Sequence, residues 1–529
     1  MRAAVVGCGT AGPAAALHLA RRLGARVDLF DRTAEPAAVG AGIGVQPIGL
    51  TALKNLGLLE PVLAHGARID GIRTWVHNDR ATEGVWAGRR VLDIEYARYD
   101  PRLFGVGLHR GVLFEALFEA CQAEADVTLR LGEGVASLEQ EQDTVRLRGS
   151  TGTQHGPYHI VVVADGQRSR LREQLGLRSW FRRYRYGALF ALLPDEEHLF
   201  GNTLQQVHAG PGTATTLGFL PTGAPWGHGI DTVGDHVVDT ATESVATLYY
   251  NLHEDAYAGW EEDGLDRWKD RCCELMPHAA DLIQDGLAHK EQVAFARYAD
   301  GAMLRFNKGR VVVIGDAGHC MSPQLGQGAN LALIDAEKLV DCLADAGGEA
   351  SAVEGALAEH TKRRWWRLQF YQAQSRVLTP VFASQSNVLR HVRNALLYPG
   401  CHTPVLRHFM HVSSDRERQT RTGLPTQRVW GRRCCAGPTA PTCSTPTPRS
   451  LRKSSWASWT GCPRSAPAFP RLCSRRDTRR SLRRRSASGG GRPRAERKLA
   501  AGARCCLHVW MYKAACSFAQ HKAAELVVF

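Results

Sequence analysis

Residues 315–330 read GDAGHCMSPQLGQGAN, an order of acid, glycines and amide suited to holding a flat ring that takes up negative charge. The apolar run before it, residues 310–314, predicts a buried parallel strand. Asp316 then falls at the strand's carboxyl end, where open α/β sheets place their ligands. Gly326 and Gly328 allow the backbone to approach a ring closely. A helical pattern (Leu331, Leu333, Ile334, Leu339) opens at Gly328, with Asp335 expected on the opposite face. The N–H groups of Gly328, Ala329 and Asn330 would therefore offer the positive end of a helix to an anionic oxygen. A reduced flavin carries such a site along its N1–C2=O edge.

The stretch resembles the GD motif of the single-component (group A) FAD-dependent aromatic monooxygenases, the para-hydroxybenzoate and salicylate hydroxylase type. Gly315, Asp316, Ala317, His319, Pro323, Gly326, Gln327, Gly328 and Asn330 all match the pattern GDAxHxxxPxxGQGxN. As a member of that motif, His319 is expected to pack and hydrogen-bond rather than to do chemistry.

Two further motifs stand in the order this family uses. Residues 2–6 predict a strand running into GCGTAG, with Gly7, Gly9 and Gly12 in GxGxxG register. A helix to about residue 23 and a second strand ending in Asp31 follow. Gly7 would make the tight turn, Gly9 admit the pyrophosphate, Gly12 permit close helix packing, and Asp31 bind the ribose hydroxyls. Residues 159–164 predict another buried strand leading into DGQRSRLR. There Asp165, Gly166, Ser169 and Arg172 fit the family's DGxxSxxR motif. The resemblance implies that this motif lies on the pyrophosphate side of FAD and helps a nicotinamide nucleotide bind. Residues 40–47, GAGIGVQP, are similar to the segment that passes beside the isoalloxazine ring. Residues 109–117 are similar to the helix start whose arginine, here Arg110, reaches FAD.

Only one dinucleotide fingerprint occurs, so FAD is the expected resident cofactor, with NADH or NADPH a transient reductant. The resemblance implies hydroxylation of an aromatic or other hydrophobic molecule through a flavin C4a-hydroperoxide formed with O2. Asp316 would hold the ribityl chain and Pro323 would cover the ring. Gln46, Tyr186, His208, Phe219 and His228 are candidates to line the substrate pocket, with no residue singled out as the catalytic base. No arginine occurs between residues 187 and 266, so the substrate sheet lacks a cation to clamp a carboxylate.

These motifs require an α/β architecture: a Rossmann-type FAD-binding domain interrupted by a mainly antiparallel substrate β-sheet. The expected divisions are 1–175 and 295–345 for the FAD-binding domain, 176–294 for the inserted sheet, and 346–412 for C-terminal helices. A basic, low-complexity tail spans 413–529. The 529-residue chain carries a formal net charge of +14, but Lys and Arg outnumber Asp and Glu by 25 to 5 beyond residue 412. The catalytic body is thus mildly acidic, and the tail is expected to be disordered or the product of a misread frame. Nucleic acid is an expected partner only through that tail. The body's seven cysteines show no CxxC or other ligand spacing, so no metal site is expected. No membrane-spanning run occurs, the first strand begins at residue 2, and a cytoplasmic location is expected. The competing functions are a reductase or epoxidase of the same fold, or a basic-tailed nucleic-acid or surface-binding protein with a vestigial flavin domain. The motifs leave the oligomeric state open.

Overall fold

The computed structural model describes residues 1–395, apart from 37–39, 78–88, 210–214, 226–230, 234–235, 239–243, 384–387, 389–390 and 392. His228 and the whole 413–529 tail lie outside the described residues. The described residues all fall within one compact unit.

The nucleotide sheet has six strands in the order Asn307–Lys308, Val311–Val313, Ile160–Val163, Arg2–Val6, Arg26–Asp31, Val127–Leu131. All its pairings are parallel except the hairpin that adds Asn307–Lys308. The inner strands are buried along almost their whole length, which is why they read as continuous apolar runs rather than alternating ones. The chain passes from Arg2–Val6 through the helix Ala11–Leu23 to Arg26–Asp31 on one side, while Ile160–Val163 flanks the other. At this reversal of strand order a crevice opens at the carboxyl ends. Gly7, Asp165 and Gly315 therefore sit at the ends of three adjacent strands.

The second sheet has seven strands, in the order Ala294–Met303, Ser179–Pro194, Val245–His253, Thr216–Gly223, Thr203–His208, Gly71–Val76, Arg89–Glu95. It is antiparallel except where Thr203–His208 runs parallel to Gly71–Val76. Two of its strands thus come from the segment expected to belong to the FAD-binding domain, and Ala294–Met303 reaches past residue 294. The sheet is not confined to 176–294, because strands remote in sequence complete its edges.

Three helices, Glu254–Asp263, Leu265–Leu275 and Ala280–Gly286, cover one face of this sheet. They meet it through Trp260, Trp268 and Leu275, packed with Leu189, Leu217, Phe219 and Leu248. Gly264 at φ 85° and Pro277 interrupt what would otherwise be a continuous helical pattern. The long helix Val353–Ala383 packs Leu368 and Tyr371 among Val161, Val163 and Val311 of the nucleotide sheet. Among the described residues, no helix is long and apolar enough to cross a membrane.

Candidate flavin site

The first turn after Arg2–Val6 is closed by backbone. Gly7 adopts φ +109°, and a Cβ placed there would lie 2.3 Å from the Ala164 carbonyl oxygen. A Cβ on Gly12 would lie 1.8 Å from the Gly7 oxygen, so the helix can dock on the turn only without a side chain. Gly9 differs: nothing stands within 4 Å of where its Cβ would be. The helix that follows carries no side-chain cap and no acid in its first turn, leaving its N–H groups directed at the crevice. Asp31, at the end of the next strand, accepts the Cys8 N–H at 2.7 Å and the Thr33 N–H at 2.9 Å. Those bonds hold its carboxylate beside the turn. Burial, with Asp31 adding to it, pushes the Cys8 thiol up to about 12, so the cysteine in the fingerprint is inert.

Asp165 lies across the crevice. Its Oδ1 is buried without a hydrogen-bond partner, and burial raises its carboxyl above the ordinary range against the pull of Ser169 and Arg172. Arg172 is buried too, donating from Nη1 to the Ala317 oxygen at 3.0 Å, which ties the DG motif to the GD motif. Next to Asp165, Gly166 opens onto empty space as Gly9 does.

In the GD motif, Gly315 is buried while the side chain of Asp316 is exposed at the crevice. Pro323 opens a short 3-10 turn, Pro323–Leu325, and is likewise exposed. The helix Gly328–Asp345 begins without a side-chain cap. Leu331 N–H bonds the Gln327 oxygen, so the N–H groups of Gly328, Ala329 and Asn330 precede the first intrahelical bond. The side chain of Asn330 is committed elsewhere: Oδ1 accepts the Gln46 N–H at 2.9 Å, and Nδ2 donates to the oxygens of Gly44 at 3.1 Å and Gly326 at 2.8 Å. Asn330 can therefore offer a flavin only its backbone.

The same bonds clamp residues 44–46 to the GD helix. Gln46 also donates from Nε2 to the Leu325 oxygen at 2.9 Å and accepts from Gln327 Nε2. Gln46 is thus a strap across the GD loop, with both ends of its amide in use. Arg110 is the first residue of the helix Arg110–Ala123, exposed, with its Cδ stem 3.1 Å from where a Gly40 Cβ would stand. His109, which sequence reasoning passed over, caps that helix through Nδ1 and holds the Gly40 oxygen at 3.0 Å through Nε2.

Asp335 is the largest departure from expectation. It is 1% exposed, not on an outer face. Its Oδ2 accepts the Gly315 N–H at 2.9 Å and bonds His319 Nε2, while Oδ1 accepts from Arg364 Nε at 2.7 Å. Burial alone would raise this carboxyl, but His319 and Arg364 reverse that and hold it well below the usual range. One buried charge therefore fixes the GD turn from behind, and His319 serves it structurally.

Of the pocket candidates, Phe219 faces the helical layer, stacked on Phe200 at 4.5 Å, and does not reach a pocket; the alternation of the strand turns it that way. Tyr186 packs edge-on against His253 at 5.1 Å. His208 lies on the opposite face. It pairs across the sheet with Thr216, and Thr216 with Asn251. One row nearer the FAD-binding domain stand Gln206, Gly218 and Tyr249. Thr247, on the same face, accepts the Gly42 N–H at 3.0 Å. The His208 Nδ1 bonds Thr216 Oγ1 at 2.7 Å, whereas its Nε2 is buried without a partner. Burial, with Arg393 adding to it, holds the imidazole far below its ordinary pKa, so it is neutral. Tyr298 and Asn251 complete a polar, uncharged lining through a 2.6 Å bond.

These features fit FAD: two uncapped helix starts, openings where no Cβ stands at Gly9, Gly166 and Gly328, and an orphaned carboxylate oxygen on Asp165. The FAD binding domain family matches residues 1–369. A 3-amino-4-hydroxybenzoate 2-monooxygenase from Streptomyces cremeus is 29% identical over 351 residues, covering 65% of this chain and 78% of that protein. A kynurenine 3-monooxygenase from Salinispora arenicola is 30% identical over 383 residues, covering 68% of this chain and 77% of its own length. Among solved structures, a probable FAD-dependent monooxygenase from Pseudomonas aeruginosa shares the fold at a TM-score of 0.62 and 20% identity, covering 75% of this chain and 99% of that one. HpxO of Klebsiella pneumoniae, solved with FAD, does so at 0.60 and 20%, covering 78% and 98%. The chain belongs to the FAD binding domain family and is an FAD-dependent monooxygenase of the aromatic-hydroxylase kind.

Proposed function

We propose that the protein uses a nicotinamide nucleotide and O2 to hydroxylate an uncharged aromatic molecule that carries a polar ring substituent, with His208 Nε2 binding that substituent. The observation that carries this reading is the orphaned, buried His208 nitrogen on the sheet face that also carries Gln206, Thr216, Tyr249 and Asn251. Relatives named for 3-amino-4-hydroxybenzoate and kynurenine support an aromatic substrate.

Bound FAD supplies the activation of oxygen, which no side chain of this chain provides. Asp31 would hold the ribose hydroxyls, the N–H groups at Gly9 and at the helix Ala11–Leu23 the pyrophosphate, and Asp316 the ribityl chain, with Arg110 as a further contact. The N–H groups of Gly328, Ala329 and Asn330 would stabilise negative charge on the reduced flavin without reorganising. Gln46 and Asn330 hold residues 44–46 and the loop at Pro323 as one wall, which keeps water from the reacting face.

His208 is fixed by Thr216, so its Nε2 can meet a hydroxyl or amino group without an entropic cost at the moment of binding. A neutral imidazole there suits an uncharged substituent and not a carboxylate. The His208→Phe variant should raise KM for the best phenolic substrate about 10- to 100-fold, the effect of roughly 1–3 kcal/mol for a lost buried hydrogen bond. FAD content should be unchanged. Steady-state rates across a panel of substituted phenols check this. If the variant keeps the wild-type preference for hydroxylated over unsubstituted rings, the assignment of His208 is wrong.

A further inference from the structure

From within the DG motif onward the chain becomes strongly basic. Residues 168–185 hold seven arginines and one glutamate, in a body that is otherwise mildly acidic. Arg172 is buried in the flavin site and Arg185 is paired with Glu254 and Asp255. The other five (Arg168, Arg170, Arg178, Arg182 and Arg183) are exposed, and none has a carboxylate within ion-pair distance among the described residues. Exposed cations without a neutralising carboxylate favour the binding of an anion.

The aromatic content of the same strand points to the kind of anion. Arg178, Trp180, Arg182 and Tyr184 alternate onto one face at the start of Ser179–Pro194. Trp180 is 42% exposed, with the Arg376 guanidinium 4.6 Å and the Arg182 guanidinium 5.8 Å from its ring centre. Those contacts hold the indole in place and leave much of it open. Trp180 pairs with Ala302, and the neighbouring Gly301 N–H bonds the oxygen of Cys320 in the GD motif at 2.9 Å. On the opposite face of the strand, Phe181 lies 3.5 Å under the Arg172 guanidinium that joins the DG and GD motifs. The basic face thus stands one strand away from the flavin crevice.

We propose that this face binds the adenosine diphosphate half of the nicotinamide nucleotide, with Arg178 and Arg182 on the phosphates and Trp180 stacked on the adenine. The surplus of cations favours the form with the additional phosphate, NADPH over NADH. The inference rests on the proposal that a nicotinamide nucleotide is the reductant.

The test is a titration of the full-length, FAD-loaded protein with NADPH and with NADH, followed by nucleotide fluorescence at low and at moderate salt. The Trp180→Ala/Arg182→Ala variant is compared with wild type and with Arg267→Ala, an exposed arginine on the remote helix Leu265–Leu275. Arg182→Glu serves as a second variant that removes no packed ring. Both face variants should weaken NADPH binding about tenfold, about 1.4 kcal/mol, and flatten its salt dependence, with FAD content unchanged and Arg267→Ala like wild type. Equal NADPH affinity in the variants and wild type overturns the proposal, and equal affinity for both nucleotides overturns its preference for NADPH. A wild-type protein that binds neither nucleotide overturns the reductant assignment as well. One that binds NADPH but hydroxylates no phenol leaves this site standing and removes the proposed function. An oligonucleotide duplex whose binding is lost in the variants while NADPH binding survives would assign the face to nucleic acid instead.

Discussion

Gly12→Ala should leave a protein that no longer retains FAD through purification. The added Cβ would stand 1.8 Å from the Gly7 carbonyl oxygen, well inside contact distance. That carbonyl cannot give way easily, because the Gly7 N–H is bonded to the Phe30 oxygen at 2.8 Å and the Gly7 backbone already uses φ +109°. The helix must instead move off the turn, carrying the N–H groups that meet the pyrophosphate out of line. Overpacking of this kind costs about 3 kcal/mol or more, equivalent to roughly a 100-fold or greater loss of FAD affinity if it falls on the bound state. Gly9→Ala separates space for ligand from space for packing. With nothing within 4 Å of its Cβ, it should leave the Tm of the FAD-free protein unchanged while still weakening FAD binding. Titration of flavin fluorescence together with thermal unfolding checks both. A Gly12→Ala protein with wild-type affinity would refute the turn as the pyrophosphate site.

Asp335→Ala should have the largest effect on stability of any single change near the site. It removes the carboxylate that neutralises Arg364, itself 2% exposed, and that holds His319 and the Gly315 N–H. Breaking a buried pair from one side costs about 3–5 kcal/mol because the remaining charge is left uncompensated. Both Tm and FAD retention should therefore fall together, since the GD turn loses its anchor. Asp335→Asn should be intermediate, keeping an acceptor for Gly315 but no charge for Arg364. The pH dependence has a defined sign. The carboxyl is held below its unfolded value, so its contribution is fully present above the ordinary aspartate range near pH 4. It disappears only as pH falls through the depressed native value. Denaturant unfolding at neutral pH and at about pH 3 should show the gap between wild type and Asp335→Ala narrowing with acid. A gap that stays constant would mean that Asp335 acts through packing and not through charge.

The nucleotide sheet was legible because each of its inner strands is buried on both faces and so wrote a continuous apolar run. Gly7, Gly9, Gly12 and Asp165 were legible because turns at strand ends restrict residue type. Asp335 was not: a charge in an amphipathic helix reads as solvent-facing, and the partner that buries it, Arg364, is 29 residues away. The Asn330 side chain is spent on Gly44, 286 residues upstream, a separation no local pattern reveals. Alternation along 216–223 shows that Phe219 and Leu220 face opposite ways, but not which side the helices of 254–286 cover. The parallel pairing of Gly71–Val76 with Thr203–His208 leaves no local trace either. Residues that make the cofactor turns could thus be read from the chain, whereas those that lock the turns in place, or choose the pocket-facing side, depend on contacts distant in sequence.

The most direct test of the central claim is the fate of molecular oxygen. Purified full-length protein, loaded with FAD and supplied with NADPH, would be given a panel of uncharged phenols under oxygen-18 gas, and the products examined by mass spectrometry. A product carrying a single oxygen-18 atom, formed only when FAD and the reductant are both present, is the predicted result. A protein that takes up FAD yet returns all the consumed oxygen as hydrogen peroxide with every phenol, or that stays colourless with FAD present, would contradict it.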